Sequence, residues 1–598
     1  MGILERPQRL KQTLIFVLLL GALLPLPGII PSAHGLTPHD RIRITGNSQF
    51  TNDNGVTGGN GTIDNPYIIE GWDITIPPVC TAVIRSDCTG IVIRFTTAFF
   101  LIRNVWVHDG NLTSCNPLSR CPDVNGINLV QVSNGRIEDS LITNNDFGIA
   151  ILSSNNVQVT RVKASGNREY GIYLSGGADN IIKDNDLSDN EDGLSISSSR
   201  NNLVEGNHAT GSSPRMRNGI WLSSGATANV VRSNNIANYN FSLLINGLAN
   251  GNLVQGNNFT YGPNYPGSLT YGMNIVGSRD NIIEHNRVTN TDFGIILTKS
   301  NRTIIRSNIA IRNSYGIGLE VGNADNTVTG NTSTENDYGV YLFNNLRPGN
   351  HVYNNIFQGR FSDAFDGNST NYWNTARTLG PNIVGGPFIG GNYYASFGGA
   401  NADCDGIGNT PYKLQGSLSP SMDFLPLVQT LGVCDVAVTA ITASSAFVGR
   451  GETVSITVNV KNEGSFSESF GVTTYYNDTA IGSQSVAGLA PGTSQTMTFS
   501  WSTVGVPSGP YIIRVVADTI PGETDTVDNT RSLTLCLLFQ GDVNRDGAVN
   551  FLDIGIIGDV FLKGSGQPGY DPSADVNGDG SVNFLDLGIV GSEFLRGC

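Results

Sequence analysis

From about residue 140 to residue 345 the chain repeats one short motif, a glycine followed by apolar residues at alternate positions. It reads GIAIL at Gly148, GIYLS at Gly171, GLSIS at Gly193 and GIWLS at Gly219. It returns as GMNIV at Gly272, GIILT at Gly294, GIGLE at Gly316 and GVYLF at Gly339. The spacing is nearly constant from Gly148 to Gly193 and again from Gly272 to Gly339. The longer gaps before Gly219 and Gly272 read as loop insertions, with SLLIN at Ser242 filling the coil between them, and Gly90 and Gly126 mark earlier coils. Alternation with period two predicts strands. Each unit carries a second short strand set among asparagines, as in DNIIKDNDLSDN and NNLVEGNHATG. Helical periodicity is missing, and Asn, Gly and Ser are poor helix formers. Short strands with turns at fixed places predict a parallel β-helix whose coils stack about 4.8 Å apart. Asparagines at equivalent turns are expected to form hydrogen-bonded ladders and to tolerate left-handed turn conformations. The Leu-x-x-Leu-x-Leu signature of a leucine-rich repeat is missing, and a sandwich would not hold this period.

After Cys434 the pattern changes. DVAVTAITA, ETVSITVNVKNEG, SFGVTTYYND, QTMTFSWSTV and YIIRVVADT alternate at the spacing of an Ig-like sandwich. The expected architecture is mainly β: a right-handed parallel β-helix solenoid, then an Ig-like β-sandwich, then a small α-helical domain of paired calcium loops. The expected divisions are 1–35 as signal peptide, 36–360 as β-helix with an N-terminal cap and 361–433 as its C-terminal tail. Residues 434–535 form the sandwich and 536–598 the terminal domain.

The terminal domain holds the clearest chemistry. GDVNRDGAVNFLDI begins at Gly541, and the nearly identical ADVNGDGSVNFLDL begins at Ala574. Calcium takes six to eight oxygens on a flexible loop, supplied at positions 1, 3, 5, 7, 9 and 12 with Gly at 6. The first loop offers Asp542, Asn544, Asp546, the Ala548 carbonyl, Asn550 and Asp553, with Gly547 at the turn. The second offers Asp575, Asn577, Asp579, the Ser581 carbonyl, Asn583 and Asp586, with Gly580. Two calcium ions are the expected cofactors.

Composition narrows the setting. The chain has 598 residues, 73 of them Gly, 14% charged residues and a formal net charge of −15. The charge argues against nucleic acid, which needs a basic face. Arg6, Arg9 and Lys11 precede the apolar run Leu14 to Ile30 and the small-x-small pattern Ala33-His34-Gly35, which reads as a secretory signal. No later stretch is apolar enough to span a membrane, so the expected location is extracellular, free or held at the cell surface. Eight cysteines fit an oxidising compartment. Local spacing suggests Cys80–Cys88 and Cys115–Cys121, although eight cysteines allow 105 pairings.

Three resemblances follow from these residues. The coils, with the opening ITGNSQFTNDNGVTGGNGTIDNPYIIEGWDI and the tail GNYYASF, DCDGIGNTPYKL and DFLPL, resemble NosD-type β-helix repeats of the carbohydrate-associated group over about 40–430. That resemblance implies the fold, while one fold hosts lyases, hydrolases, epimerases and inert scaffolds. The copper role behind the family name finds no support in the five scattered histidines after the signal segment (His39, His108, His208, His285 and His351) and few methionines. The sandwich resembles CARDB, which implies a spacer or a binding module. The paired loops resemble a type I dockerin, which implies calcium-dependent folding and docking onto a cohesin-like domain of another protein. The family's partner-contacting positions are Phe551, Leu552, Phe584 and Leu585 here, where polar residues are usual. They either make an apolar contact or pack internally. Cys536 and Cys598 bracket this unit, and halves related by a twofold would bring them together as a disulfide.

Chemistry on the coils is sparser. Asp146, Glu169 and Glu191 stand two residues before the coil glycine in successive coils, as do Asp292 and Asp337 later. Stacking would set such carboxylates about 5 Å apart, near the separation in retaining glycosidases. They are the candidate catalytic residues, with Arg168 as the adjacent cation. Solvated turn acids without a role would look the same. Outward Tyr173, Trp221 and Tyr341 could stack on sugar rings. Asn290-Thr291-Asp292 matches a fragment of a polygalacturonase motif whose companions are missing. The reading is a secreted modular surface or matrix protein with a carbohydrate-binding face. A dockerin-borne polysaccharide lyase or glycoside hydrolase is the alternative, and a structural adhesin or stalk the next.

Overall fold

The computed structural model describes residues 35–77, 88–110, 124–213, 215–262, 269–343, 349–367, 370–399, 405–416, 421–429 and 432–598. The signal segment, Cys80, Cys115 and Cys121 lie outside the described residues. The chain divides into two compact units, one ending at Ser314 and one beginning at Tyr315.

The first unit is a solenoid of parallel strands. One sheet runs through Asn125–Val132, Phe147–Leu152, Tyr170–Ser175, Asp192–Ser197, Asn218–Ser223, Phe241–Ile245, Tyr271–Val276 and Phe293–Thr298, each pairing with the next. A second runs from Tyr67–Glu70 to Ile304–Arg306, and short strands such as His208–Thr210 and Asn235–Ala237 make a third. Ile149, Ile172, Leu194, Ile220, Leu243, Met273 and Ile295 form one inward column, all fully buried. Each such side chain contributes roughly 1.5–3 kcal/mol of burial.

The coil glycine has a steric cause. A Cβ on Gly148 would lie 2.5 Å from the Gly171 carbonyl oxygen, and one on Gly171 would lie 2.6 Å from that of Gly193. Any side chain at this position would therefore force the coils apart.

The asparagine ladders are present and buried. Asn185 donates from its backbone N–H and Nδ2 to Asn207 Oδ1, at 3.1 and 2.9 Å, and Asn207 repeats both bonds to Asn234 Oδ1 at 2.9 Å. The ladder continues through Asn257 and Asn286 to Asn308. A parallel ladder climbs from Asn180 through Asn202, Asn229 and Asn252 to Asn281. The left-handed residue is the one just before each ladder asparagine: Asp184 (φ 55°), Gly206 (67°), Ser233 (56°), Gly256 (64°), His285 (56°) and Ser307 (56°). Ladder and left-handed turn thus occupy neighbouring positions, not one shared asparagine.

The second unit begins with further coils, Tyr315–Leu319 pairing with Thr332–Leu342 and that strand with Ile356–Asp366. Its ladder runs from Asn331 through Asn355 to Asn392, whose backbone N–H donates to buried Asp423 at 2.7 Å. The sandwich follows. One sheet holds Val436–Ala443, Thr453–Asn462 and Ser494–Ser502, and the other holds five strands including Glu468–Tyr476 and Gly509–Ala517. Val458, Val472, Phe499, Trp501 and Ile513 fill its core.

Two nine-residue helices close the chain, α1 at Phe551–Asp559 and α2 at Phe584–Ser592. Each is glycine-bearing and short, so its start must be fixed. Asn550 with Asp553, and Asn583 with Asp586, form capping boxes. Val543, Val549, Ile557, Ala574, Val582 and Val590 make a small separate core. Cys536 and Cys598 are disulfide-bonded to each other with Cα atoms 5.8 Å apart, and Cys88 and Cys434 each belong to a separate disulfide whose other cysteine lies outside the described residues.

Candidate functional site

The two acidic loops wrap in the same way. In the first, Asp542 accepts from the backbone N–H of Asp546 (3.1 Å) and of Gly547 (2.9 Å). Asp553 accepts from Val543, Asn544 and Asn550 at 2.8, 3.1 and 2.8 Å. In the second, Asp575 accepts from Asp579 and Gly580, and Asp586 from Asn577 and Asn583. Gly547 and Gly580 stand at φ 94° and 91°, the sharp turn that a Cβ would oppose. The donor set is all oxygen, and Asp553 and Asp586 are fully buried. These residues fit a hard divalent cation such as calcium.

The halves obey a pseudo-twofold that carries Asp542 onto Asp575 and Phe551 onto Phe584. Phe551 meets Phe594 edge to face at 4.8 Å, and Phe561 meets Phe584 at 5.0 Å. The bridge Ala548–Gly597 has its mate in Gly564–Ser581. Phe551, Leu552, Phe584 and Leu585 are 75, 62, 72 and 64% exposed. The two Phe–Leu pairs therefore face outward and do not fill the small core.

On the solenoid the outward face carries two columns. One runs Phe147, Tyr170, Asp192, Asn218, Phe241, Tyr271 and Phe293, and the other Ala150, Tyr173, Ser195, Trp221, Leu244, Asn274 and Ile296. Aromatic rings stack at both ends. Phe147, Tyr170 and Tyr173 cluster at 4.8–5.6 Å, while Phe241, Tyr271 and Phe293 stack nearly parallel at 4.7 Å. Between the stacks Asp192, Ser195 and Asn218 interrupt the aromatics. Burial raises the Asp192 carboxyl above its ordinary value. Burial, then the Asp192 charge, pushes the Tyr170 phenol up to about 12.

The expected acid column is only partly realised. Asp146 is fully buried, accepts from the Val124 N–H at 3.0 Å and pairs with Arg168 Nε at 2.9 Å. Glu169 is half-buried, with Arg168 at 3.5 Å. Arg168 is not the only adjacent cation, because stacking brings Arg217 from the next coil to Glu191 at 2.8 Å. Sequence reasoning missed Asp192. The signal was a pair of polar residues just before the coil glycine, Asp192 and then Asn218, in a column that otherwise carries Phe or Tyr from Phe147 to Phe293. Tyr341 lies in the second unit, stacked on Phe365 at 4.6 Å. Asp292 accepts from Thr270 N–H and Oγ1 at 2.8 and 2.9 Å.

Among the described residues, one group of His, Cys, Asp or Glu brings three ligand atoms within 4.8 Å of one another: Asp435, Glu463 and Asp528 of the sandwich. Burial, then the charges of Asp528, Glu523, Glu463 and Asp525, pushes the Asp435 carboxyl up to about 6.

Residues 82–265 and 264–399 match the family model described as periplasmic copper-binding protein (NosD), and together they span just over half of the chain. The chain belongs to the NosD family. In this NosD-family chain residues 434–532 match CARDB and 540–595 match the dockerin type I domain. These modules mark a modular protein of extracellular or periplasmic type. Among the described residues no helix is long and apolar enough to cross a membrane. No curated protein matches the chain. Among solved structures it is similar to a CARDB domain from Pyrococcus furiosus in complex with di-metal ions, at 25% identity over 18% of this chain and 94% of that one, TM-score 0.16. It is similar to an alginate lyase from Paenibacillus sp. at 18% identity, over 41% and 88%, TM-score 0.28. A third is the A-module of a mannuronan C-5 epimerase from Azotobacter vinelandii at 12% identity, over 51% and 87%, TM-score 0.30.

Proposed function

We propose that this NosD-family chain is a secreted surface or matrix protein whose β-helix offers a carbohydrate-binding face. Its terminal unit, loaded with calcium, docks onto a cohesin-like domain of another protein, and the sandwich spaces the two. The observation that carries the docking reading is the exposure of two Phe–Leu pairs at twofold-related helix starts. Water-facing apolar residues grouped on so small a unit are the mark of an interaction surface. The symmetry supports docking in either of two orientations.

Two calcium ions would be held by Asp542, Asn544, Asp546, the Ala548 carbonyl, Asn550 and Asp553, and by Asp575, Asn577, Asp579, the Ser581 carbonyl, Asn583 and Asp586. Calcium, when bound, supplies the positive charge that lets three acids per loop converge. The carbohydrate reading rests on the aromatic columns of the solenoid, whose rings match the apolar faces of sugars. A dockerin-borne polysaccharide lyase or hydrolase draws support from one observation, the desolvated Asp192 beside the Glu191–Arg217 pair. The test of the main reading is binding of the full chain to a panel of recombinant cohesin domains, in calcium and in chelator.

A further inference from the structure

Shielded oxygens without a hydrogen-bond partner recur singly along the outward columns, at Asn125, Asn128 and Asn274, and three of them meet in the interruption between the two aromatic stacks. Asp192 is fully buried, Ser195 is 1% exposed and Asn218 is 6% exposed, yet all three stand in the outward columns. Each has one atom shielded from water without a hydrogen-bond partner: Asp192 Oδ2, Ser195 Oγ and Asn218 Oδ1. The other oxygen of Asp192 is used, accepting from Asn218 N–H at 3.0 Å and from Asn218 Nδ2 at 2.7 Å. Arg217 Nη2 approaches Asp192 Oδ2 only to 3.5 Å, its Nε being committed to Glu191 at 2.8 Å. A buried polar atom without a partner costs about 1–3 kcal/mol, so three that meet at one place call for an explanation.

The neighbouring residues frame this notch. Tyr173 stands one coil before Ser195 in the same column, and Trp221 one coil after. Two strand spacings of about 4.8 Å set the backbones of these two residues about 10 Å apart. Trp221 is held by its Nε1, which donates to Asn246 Oδ1 at 3.0 Å. The ring edge is fixed, and its orientation does not depend on a ligand.

The unmet atoms state what they would take. Asp192 Oδ2 and Asn218 Oδ1 accept only, and Ser195 Oγ accepts or donates, so the complement is a group of hydroxyl donors. A uronate or sulfate is a poor fit. Among the described residues four carboxylates (Asp146, Glu169, Glu191 and Asp192) meet two guanidinium groups here. Both guanidinium groups are already engaged, Arg168 with Asp146 and Glu169, Arg217 with Glu191 and Asp192. Among the described residues no cation of the notch is left for an anionic sugar, and the charge of the carboxylates repels one.

We infer that the notch formed by Asp192, Ser195 and Asn218 between Tyr173 and Trp221 is a binding subsite for a neutral polysaccharide, with sugar hydroxyls donating to the three unmet oxygens and the two aromatic rings covering the sugar. This rests on the carbohydrate reading of the solenoid face and adds its place and the class of sugar. Side chains that now shield the notch turn aside to admit the ring, while Arg168 and Arg217 stay on their carboxylates.

The experiment is affinity electrophoresis and calorimetry of the full chain against neutral polysaccharides (a β-glucan, a mannan, a galactan) and acidic ones (alginate, polygalacturonate). Wild type is expected to bind at least one neutral polysaccharide and neither acidic one. Trp221→Ala and the near-isosteric Asp192→Asn should each weaken that binding tenfold or more, with melting curves confirming the fold. Lys183→Gln, on the second sheet of the solenoid and outside both outward columns, should leave it within twofold. Binding that survives both notch variants overturns the subsite while leaving a carbohydrate face elsewhere. Binding to acidic glycans alone overturns the neutral class. Absence of binding to any of them removes both this inference and the carbohydrate reading beneath it.

Discussion

Arg545, at the fourth position of the first acidic loop, donates from Nη2 to Glu452 Oε1 of the sandwich at 2.9 Å. The twofold mate of Arg545 is Gly578, which has no side chain to do the same. Close by, a Cβ on Gly547 would lie 2.2 Å from the ring of Phe447, whereas one on Gly580 would find its nearest neighbour, Ser565, at 3.9 Å. The sandwich therefore leans on the first loop and not on the second, and the internal symmetry of the terminal unit is broken by its neighbour.

That asymmetry predicts two unequal calcium sites. Both members of the Arg545–Glu452 pair are more than half exposed, so it stabilises by at most about 1 kcal/mol. Glu452→Gln should weaken one of two calorimetric calcium sites by a few-fold and leave the other unchanged, with the difference fading in high salt. An equal change at both sites would argue that the contact acts on the whole unit.

The loops predict order that depends on the ion. Each gathers three acidic side chains, whose repulsion is uncompensated without a cation. Circular dichroism of the full chain should gain a helical contribution and a higher-melting transition on adding calcium. Asp542→Ala with Asp575→Ala should hold the chain in the chelator-treated state.

The Cys536–Cys598 bond joins positions separated by 62 residues and closes a loop around this unit. In the chain-entropy model such a cross-link contributes roughly 4 kcal/mol. Cys598→Ser should lower the denaturant midpoint of the terminal transition by a corresponding amount and leave the solenoid transition unmoved.

A ladder asparagine predicts a large loss from a small change. Asn207→Ala would leave the Asn185 N–H and side-chain amide, and the Ile182 carbonyl, without the partners they now have at 2.9–3.1 Å. Each stranded buried group costs about 1–3 kcal/mol. Chemical denaturation should show a solenoid weakened by several kcal/mol, well beyond a surface Asn→Ala control.

The solenoid was legible because its causes are local and repeated. Gly171 and Gly193 recur where coils touch, and Asn180 and Asn202 recur where turns stack, so one sequence period carries both. The calcium loops were legible for the same reason, since every ligand lies within one short unbroken stretch, Asp542 to Asp553 and Asp575 to Asp586. The notch was not. Asp192 acquires meaning only when strand register sets Tyr170 of the coil before and Asn218 of the coil after beside it. Arg217 reaches Glu191 because it stands two residues before Gly219, the place in its coil that Glu191 holds before Gly193, so the register stacks one on the other. The Phe–Leu pairs were undecided for a different reason. So short a helix cannot reveal by its own periodicity which face its partner half will cover.

The sandwich predicts an inverted pH response. Burial and four neighbouring acids raise the Asp435 carboxyl to about 6 in the folded state, above its ordinary value near 3.8. A carboxylate so raised favours the protonated form on folding. Its contribution is therefore present in full below about pH 4 and is lost as pH rises through about 6. Melting of the sandwich transition between about pH 4 and pH 7 should show this decline, and Asp435→Asn should flatten it.

The central claim, docking through a calcium-loaded terminal unit, is tested most directly by calorimetric titration of recombinant cohesin domains with the full chain. In calcium, the wild-type chain should bind at least one cohesin. In chelator the heat should vanish, and the combined Phe551→Ala, Leu552→Ala, Phe584→Ala and Leu585→Ala variant should fail to bind in either condition while still taking up calcium. Equal binding in calcium and chelator, or undiminished binding by that variant, would contradict the account.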